Sequence, residues 1–424
     1  MSVTQIIAGL VFGLGYLGII LEHQAHVNKA AFALVMGGFL WALVGMASPD
    51  ESALALAHSS AEIFSIVVFL LAAMVLVEVL VHYRVFDYIQ AKLYARNLGQ
   101  MQQFWFMALL TFVFSAFLNN LTVTIVMIQI ARKFFWGKNL LLVAATIIVS
   151  SNAGGAFSPV GDITTIMLWF AEKFTATEII VGGLIPSVLL CAISTYLLSR
   201  KLTPPEGRNL APACTECPRL SRTDQTVVVT VLGAFLLPVI GRLFNVPPVL
   251  GILLGVGITW LVVDSLRQFT KEQTHLNASI EKFVQKTDIS SIMFFIGILL
   301  SVAAINALGV LDHVSAVLYG SEGLGQIILG NTLLGVLSGV FDNIPLTAMA
   351  ISILETADTG LWVLLAIAVG TGGSFFLVGS ASGVVAAGML PKLTFGTYVR
   401  LAFVPVLIGF AGAIGAWAVG YFLL

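Results

Sequence analysis

The chain has 424 residues, of which 58% are hydrophobic and only 10% are charged. Soluble domains carry roughly 25% charged residues, so this composition excludes a soluble globular protein. A net charge of -1 leaves no extended basic surface, and no nucleic-acid partner is expected. Unbroken apolar runs of about 20 residues predict an all-α polytopic protein in the lipid bilayer, because a barrel would instead alternate in ~10-residue segments.

The apolar runs predict the same order of elements twice. The first set comprises three crossings, a hairpin, a broken span and a last crossing, near residues 3–21, 29–47, 60–82, 96–132, 140–171 and 178–199. The second set lies near residues 225–241, 247–264, 289–308, 322–355, 361–390 and 398–423. Each set has five crossings, one of them broken, and five is an odd number. We therefore predict two inverted repeats, at 1–199 and 225–424, joined by a cytoplasmic linker at 200–224.

The distribution of charge gives the orientation. Basic residues are concentrated in five loops, which are expected to be cytoplasmic: 84–96, 132–138, 200–222, 267–286 and 392–400. Acidic connections near 50–51, 172–178, 312–322 and 355–358 are expected outside, which places both termini in the periplasm. The segment 96–132 starts and ends on basic loops, so both of its ends are expected on the cytoplasmic side and it is predicted to be a re-entrant helical hairpin. The segment 322–355 has acidic flanks at both ends and is predicted to be a second hairpin that enters from the opposite side.

The tips of the two predicted hairpins align without a gap. The matched pairs are Ser115 with Ser338, Asn119 with Asp342, Asn120 with Asn343, and Thr124 with Thr347. Each hairpin is followed by an apolar run that a glycine pair interrupts, Gly154-Gly155 in one half and Gly372-Gly373 in the other. Such pairs at membrane depth predict discontinuous helices, and paired broken helices in inverted repeats are typical of transporters that bind their substrate near the midplane.

Two acidic residues within these motifs indicate which substrate is bound. An unpaired charge near the bilayer centre costs at least ~2.5 kcal/mol, and neither motif contains Lys or Arg, so we expect Asp162 and Asp342 to have no cationic partner. Carboxylates among amide and hydroxyl oxygens suit a small hard cation. The predicted sodium site comprises Asp162, Asp342, Asn120 and Asn343. Further neutral oxygen donors are predicted at Asn119, Asn152, Thr164, Thr165 and Ser380.

The same acids account for coupling to protons. Burial and a second nearby carboxylate both favour the protonated form of a carboxyl group. Sodium and protons would then compete for one site, and alternating access of that site is sufficient for antiport. The glycine pairs and the asparagines also have a purely structural interpretation, because glycine pairs often serve close helix packing and Asn residues often cap helices.

The stretch from Ser151 to Thr165 resembles the signature of NhaD-type sodium/proton antiporters of the ion transporter superfamily, and Asp342-Asn343 resembles that family's second hairpin tip. The resemblance in layout covers essentially the whole chain. It implies exchange of sodium or lithium for protons, a bacterial inner-membrane location, and a homodimer with elevator-like motion. That family commonly has Asp-Asn at the first tip, whereas this chain has Asn119-Asn120, which removes one candidate proton carrier.

Glu62 and Glu78 in the third apolar run are possible substitutes for that carrier. The main rival function is an anion transporter of the same superfamily, for dicarboxylates, citrate or arsenite, because half-helix N-termini could hold a carboxylate. Asp162 and Asp342 would repel such a substrate. No metal motif or activated nucleophile is evident, so neither an enzyme nor a resident cofactor is expected. Cys214 and Cys217 form a CxxC without a second pair, which indicates an incidental pair in a loop.

Overall fold

The computed structural model of the chain describes residues 2–22, 26–95, 98–204, 220–270, 272–320 and 323–423. Within these ranges the protein forms twenty α-helices and no strands. Nine of the described helices are long and apolar enough to cross a membrane. The predicted all-α polytopic membrane class is therefore confirmed. Cys214 and Cys217, with most of the predicted linker, lie outside the described residues.

The described helices follow the predicted order in both halves. Those before residue 200 are α1 (Val3–Ile20), α2 (Lys29–Ala47), α3 (Pro49–His82), α4 (Val85–Ala95), α5 (Gln100–Ser115), α6 (Asn120–Phe134), α7 (Gly137–Ala156), α8 (Ile163–Phe170) and α9 (Ala176–Ser199). Those after residue 220 are α10 (Arg222–Arg242), α11 (Pro248–Phe269), α12 (Gln273–Leu276), α13 (Ile280–Lys286), α14 (Ile289–Ala307), α15 (Leu311–Leu318), α16 (Leu324–Leu337), α17 (Asn343–Ile353), α18 (Thr359–Gly372), α19 (Ala381–Met389) and α20 (Phe395–Leu423).

Helix α3 is longer than predicted. It has 34 residues and begins at Pro49, so it extends for about 51 Å. Proline is favoured in the first turn of a helix because its missing N–H has no partner there in any case. Asp50 and Glu51, which we expected in an external loop, therefore lie in the first turn of α3.

The first break lies later in the chain than the glycine pattern indicated. Asn152, Gly154 and Gly155, predicted to lie in the broken stretch, are all within α7, which continues to Ala156. Glycine in a helix costs only about 1 kcal/mol, which tertiary packing readily overcomes. The backbone leaves the helix at 157–162, a stretch that contains Pro159. In the second half Gly372 ends α18 and Gly373 caps it, so there the break begins at the glycine pair.

Helix packing follows a pairwise pattern between the two halves. Helix α2 packs on α14, and its counterpart α11 packs on α3. Helix α5 packs on α7 as α16 packs on α18, and α6 contacts α19 as α17 contacts α8. When each helix is replaced by its counterpart in the other half, every one of these contacts becomes another contact that the structure contains. An internal repeat produces this pattern. The opposite orientation of the halves and their limits at 1–199 and 225–424 stay a prediction.

The glycine pairs allow the hairpins and the broken helices to meet at backbone distance. A Cβ atom added to Gly154 would overlap the carbonyl oxygen of Phe112 in α5. A Cβ atom added to Gly372 would overlap the carbonyl oxygen of Gly335 in α16. Neither neighbour is a flexible side chain, so the close packing of α5 on α7 and of α16 on α18 requires glycine.

We expect Gly154→Ala and Gly372→Ala each to destabilise the protein by about 1–3 kcal/mol, because the overlapping backbone must shift. Gly38→Ala in α2 is the matched control, since an added Cβ there meets no atom within 4 Å. Thermal unfolding of the detergent-solubilised protein measures the difference. Equal melting temperatures for all three variants would contradict the packing role.

Candidate functional site

Four helices begin at the centre of the molecule, and a side chain caps each of them. In the first half, Asn119 precedes α6 and accepts a hydrogen bond from Leu121 N at 2.9 Å, and Asp162 precedes α8 and accepts one from Ile163 N at 2.8 Å. In the second half, Asp342 precedes α17 and accepts from Ile344 N at 3.3 Å, and Ser380 precedes α19 and accepts from Gly383 N at 3.3 Å. Asn119 and Asp342 occupy equivalent hairpin positions. Asp162 and Ser380 are also equivalent, because each lies seven residues after the second glycine of its pair.

Asp162 is the centre of this arrangement. Only 3% of its surface is exposed. Asn120 donates a hydrogen bond from Nδ2 to Oδ1 of Asp162 at 3.3 Å, and Asn343 donates from Nδ2 to Oδ2 at 3.0 Å. The two asparagines are the equivalent residues of the two hairpins. One buried carboxylate is therefore held by both halves of the chain.

Asn152 links the first hairpin to the second break. Its Oδ1 accepts a hydrogen bond from Asn120 Nδ2 at 3.4 Å. Its Nδ2 donates to Ser374 Oγ at 3.0 Å and to Ser380 Oγ at 3.1 Å. The Asn152 amide is thus fully engaged with protein groups, which fits a role in orienting Asn120 and Ser380.

The remaining predicted donors differ in how they are used. Thr165 donates its hydroxyl to the backbone oxygen of Asp162 at 2.8 Å. The buried hydroxyl of Thr164 makes no hydrogen bond of normal geometry with the described residues. The hydroxyl lies close enough to the Asp162 carboxylate to interact with it, so Thr164 belongs to the immediate surroundings of the acid. Gly155 lies directly behind the acid, because a Cβ added there would approach Asp162 Cβ to 2.9 Å.

Asp342 has a cationic partner, contrary to our expectation. Lys29, the first residue of α2, places Nζ 3.7 Å from Asp342 Oδ2. The same ammonium group lies 4.3 Å from the centre of the Phe294 ring. Tyr16 of α1 also contacts this tip, since its hydroxyl accepts a hydrogen bond from the Asp342 backbone N–H at 3.1 Å. No local pattern in the sequence indicates this pair, because α2 lies far from α17 in the chain.

A small cavity of about 30 Å³ joins these residues, which is enough for a water molecule or a monatomic ion. Its polar lining comprises Lys29, Asn119, Asn120, Thr122, Asp162, Asp288, Ser291, Asp342 and Asn343. Asp288 is a third acid that the sequence reasoning missed, and it caps α14 by accepting a hydrogen bond from Ser291 N at 3.2 Å. Three carboxylates against one ammonium group give this lining a net charge of -2 when all are ionised. The cavity therefore favours a cation.

The two candidate accessory acids do not line this cavity. Glu62 lines a second cavity of about 410 Å³, and its side chain is 68% exposed beside His58. Glu78 is partly buried in α3 and lines neither cavity.

The second cavity lies one helical turn from the first along three helices. Lining residues of the small cavity and of the large one are four apart, as Ile163 and Met167 in α8, Phe295 and Leu299 in α14, and Ile344 and Ala348 in α17. Four residues correspond to a rise of about 6 Å. A single turn of packed helix therefore separates the polar cavity from the larger one.

Comparison with known proteins adds independent evidence. The family model described as citrate transporter matches residues 16–370. Sodium/proton antiporter 1 of Arabidopsis thaliana is 32% identical over 417 residues, which cover 96% of this chain and 71% of that protein. Na(+)/H(+) antiporter NhaD of Halomonas elongata is 29% identical, with coverage of 95% and 86%, and NhaD of Vibrio cholerae is 28% identical, with coverage of 96% and 89%.

Apolar helices of spanning length around a polar cavity, together with these matches, define the class as a multi-pass membrane transporter. The chain belongs to the citrate transporter family, and its relatives there include the NhaD-type sodium/proton antiporters. The resemblance to NhaD that the motif around Asp162 indicated is confirmed.

We expect Asn152→Ala to destabilise the protein by about 1–3 kcal/mol, because Asn120, Ser374 and Ser380 would lose a buried hydrogen-bond partner. Asn306→Ala is the control, since Asn306 is exposed near the end of α14. Thermal unfolding of both variants checks the difference. A melting temperature of Asn152→Ala equal to that of the control would show that the network adds no stability.

Proposed function

We propose that this protein exchanges sodium or lithium ions for protons across the bacterial inner membrane by alternating access. Asp162 and Asp342 are the competing ion ligands and proton carriers in this proposal. The observation that supports the proposal best is a net negative cavity that both acids line and in which two asparagine amides hold Asp162. The names of the curated relatives, sodium/proton antiporters in plants and bacteria, point the same way.

The ligand set for sodium comprises the Asp162 and Asp342 carboxylates with amide oxygens of Asn120 and Asn343. Both asparagines donate N–H to Asp162, which leaves their oxygens to face a cation. The hydroxyl of Thr164, beside the Asp162 carboxylate, is a further ligand, while Asn119, Asn152, Thr165 and Ser380 hold the surrounding backbone and side chains. Protonation of the acids releases the ion, because the neutral form no longer attracts it.

The family is described as citrate transporter, so transport of citrate or another anion is the alternative function. Helix N-termini carry partial positive charge and attract anions. In this chain, however, aspartates cap two of the four helix starts, and Asp288 adds a third negative charge to the cavity. A tricarboxylate would meet these charges at close range. A cation is therefore the better fit.

Lys29 acts in this proposal as a built-in competitor of the transported ion. Its ammonium group neutralises Asp342 when the site holds no sodium, and a bound sodium ion displaces it toward Phe294. Lys29 belongs to α2 and Asp342 to the second predicted hairpin. When sodium replaces Lys29 beside Asp342, ion binding therefore changes a contact between α2 and that hairpin.

The two cavities provide access from opposite sides. By the positive-inside topology, the large cavity beside Glu62 faces the periplasm and the small cavity beside Lys29 and Asp288 faces the cytoplasm. Both termini are then periplasmic. A homodimer with an elevator-like motion, and the absence of enzymatic activity, complete the proposal.

We expect protein reconstituted in acid-interior liposomes to collapse the pH gradient when sodium or lithium is added outside, because entering cations drive protons out. A pH-sensitive dye measures the collapse, and potassium is the matched ionic control. No response to sodium or lithium at neutral to alkaline pH, together with uptake of radiolabelled citrate or succinate, would refute cation exchange.

Asp162→Asn and Asp342→Asn are each expected to reduce sodium-dependent exchange to the level of protein-free liposomes, since each removes a charge that binds the ion. Asp264→Asn is the control, because Asp264 is exposed on α11. Full activity in both site variants would show that the ion binds elsewhere.

Lys29→Met is expected to raise the apparent sodium affinity by about fivefold, because a partly exposed ion pair contributes up to about 1 kcal/mol against sodium binding. Lys29→Arg keeps the positive charge and should keep the affinity of the unaltered protein. The sodium concentration for half-maximal exchange measures both. An unchanged or weaker affinity in Lys29→Met would exclude competition by Lys29.

A further inference from the structure

A second group of ligating side chains lies outside the candidate site. Asp224 in the first turn of α10, Glu272 before α12 and His275 in α12 bring one ligand atom each to within 4.8 Å of the others. His275 Nε2 lies 3.8 Å from Asp224 Oδ1 and 3.4 Å from Glu272 Oε2. None of the three residues lines the small polar cavity.

Two of these ligand atoms are buried and have no hydrogen-bond partner among the described residues. His275 is fully buried, and its Nε2 makes no hydrogen bond although two carboxylates lie close to it. Asp224 Oδ1 is equally without a partner. Ligands of one metal ion at bond lengths of about 2.0–2.2 Å lie roughly 3.3–3.5 Å apart. The 3.4 Å between His275 and Glu272 matches this separation, whereas the 3.8 Å between His275 and Asp224 requires a small inward shift of the Asp224 carboxylate on binding.

The surrounding residues orient these ligands as the outer shell of a metal site does. Tyr83, at the end of α3, places its hydroxyl 2.9 Å from His275 Nδ1, so a proton on Nδ1 leaves the Nε2 lone pair free. Hydroxyl groups of Ser221 and Thr223 donate to the Glu272 carboxylate at 3.0 and 2.8 Å.

We propose that Asp224, Glu272 and His275 bind a divalent first-row transition metal ion such as zinc. Two carboxylates balance the charge of the ion, and a neutral imidazole completes a three-residue set that leaves a position for water. The ion joins the start of α10, directly after the linker, to α12, and through Tyr83 to α3. It therefore fastens the two halves of the chain together at a distance from the transported ion.

The competing explanation is an ion pair between protonated His275 and the two carboxylates. The distance of 3.4 Å between His275 Nε2 and Glu272 Oε2 is compatible with such a pair, although the angle of the contact is poor for a hydrogen bond. The two explanations also differ in the response to metal, because an ion pair stabilises the protein at low pH without any metal.

The test uses the full chain in detergent after treatment with EDTA. Adding zinc chloride is expected to raise Tm by several degrees and to saturate at one zinc ion per chain in isothermal titration calorimetry. Cobalt(II) in place of zinc should give the visible absorption of a tetrahedral site. Tyr83→Phe should weaken zinc binding by roughly 10- to 100-fold, because it removes only the outer hydrogen bond.

His275→Asn and Glu272→Gln should abolish the effect of zinc on Tm, whereas His58→Asn, which alters an exposed histidine of α3, should leave it unchanged. The Glu272 side chain is 45% exposed, so Glu272→Gln is expected to fold and tests the metal site even if His275→Asn does not fold. The proposal is overturned if zinc leaves the Tm of the unaltered protein unchanged, if Glu272→Gln responds to zinc as that protein does, or if lowering the pH alone reproduces the stabilisation.

Discussion

A helix that begins inside a membrane exposes N–H groups that no water can satisfy, and this constraint shapes the centre of the protein. Four such helix starts meet there, and Asn119, Asp162, Asp342 and Ser380 satisfy one N–H group each. Three of these four residues, Asn119, Asp162 and Asp342, also line the polar cavity. Binding chemistry and local helix stability cannot be separated at these positions.

Much of the fold could be predicted because lipid imposes simple rules. Apolar length located the spanning helices, and the gap-free alignment of Asn119 with Asp342 placed the helix breaks at 116–119 and 338–342 correctly. The start of α3 was misplaced because residues 50–61 are less apolar, although they are fully capable of forming a helix. The first break was misplaced because Gly154 packs against the backbone of Phe112 and Gly155 against Gly161 and Asp162, and sequence alone does not separate that role from helix breaking.

The site was predictable in part for the same reason. Asp162, Asn120 and Asn343 lie within motifs whose polarity is unusual in lipid, and the structure brings them together. Lys29 and Asp288 stand at the starts of α2 and α14, where charged residues are ordinary, so nothing local marks them. Only tertiary packing of α2 and α14 against the second hairpin reveals their place. The role of each residue in transport stays a proposal.

The single helical turn between the two cavities has an electrical consequence. In the proposed transport cycle each cavity opens to its own side of the membrane, so the membrane voltage falls across the turn of about 6 Å between them. A charge that passes this turn gains nearly the full ~2.3 kcal/mol per 100 mV while moving only a short distance. A net charge carried in each exchange cycle would thus make the rate strongly dependent on voltage, with Asp162 seated where the field is steepest.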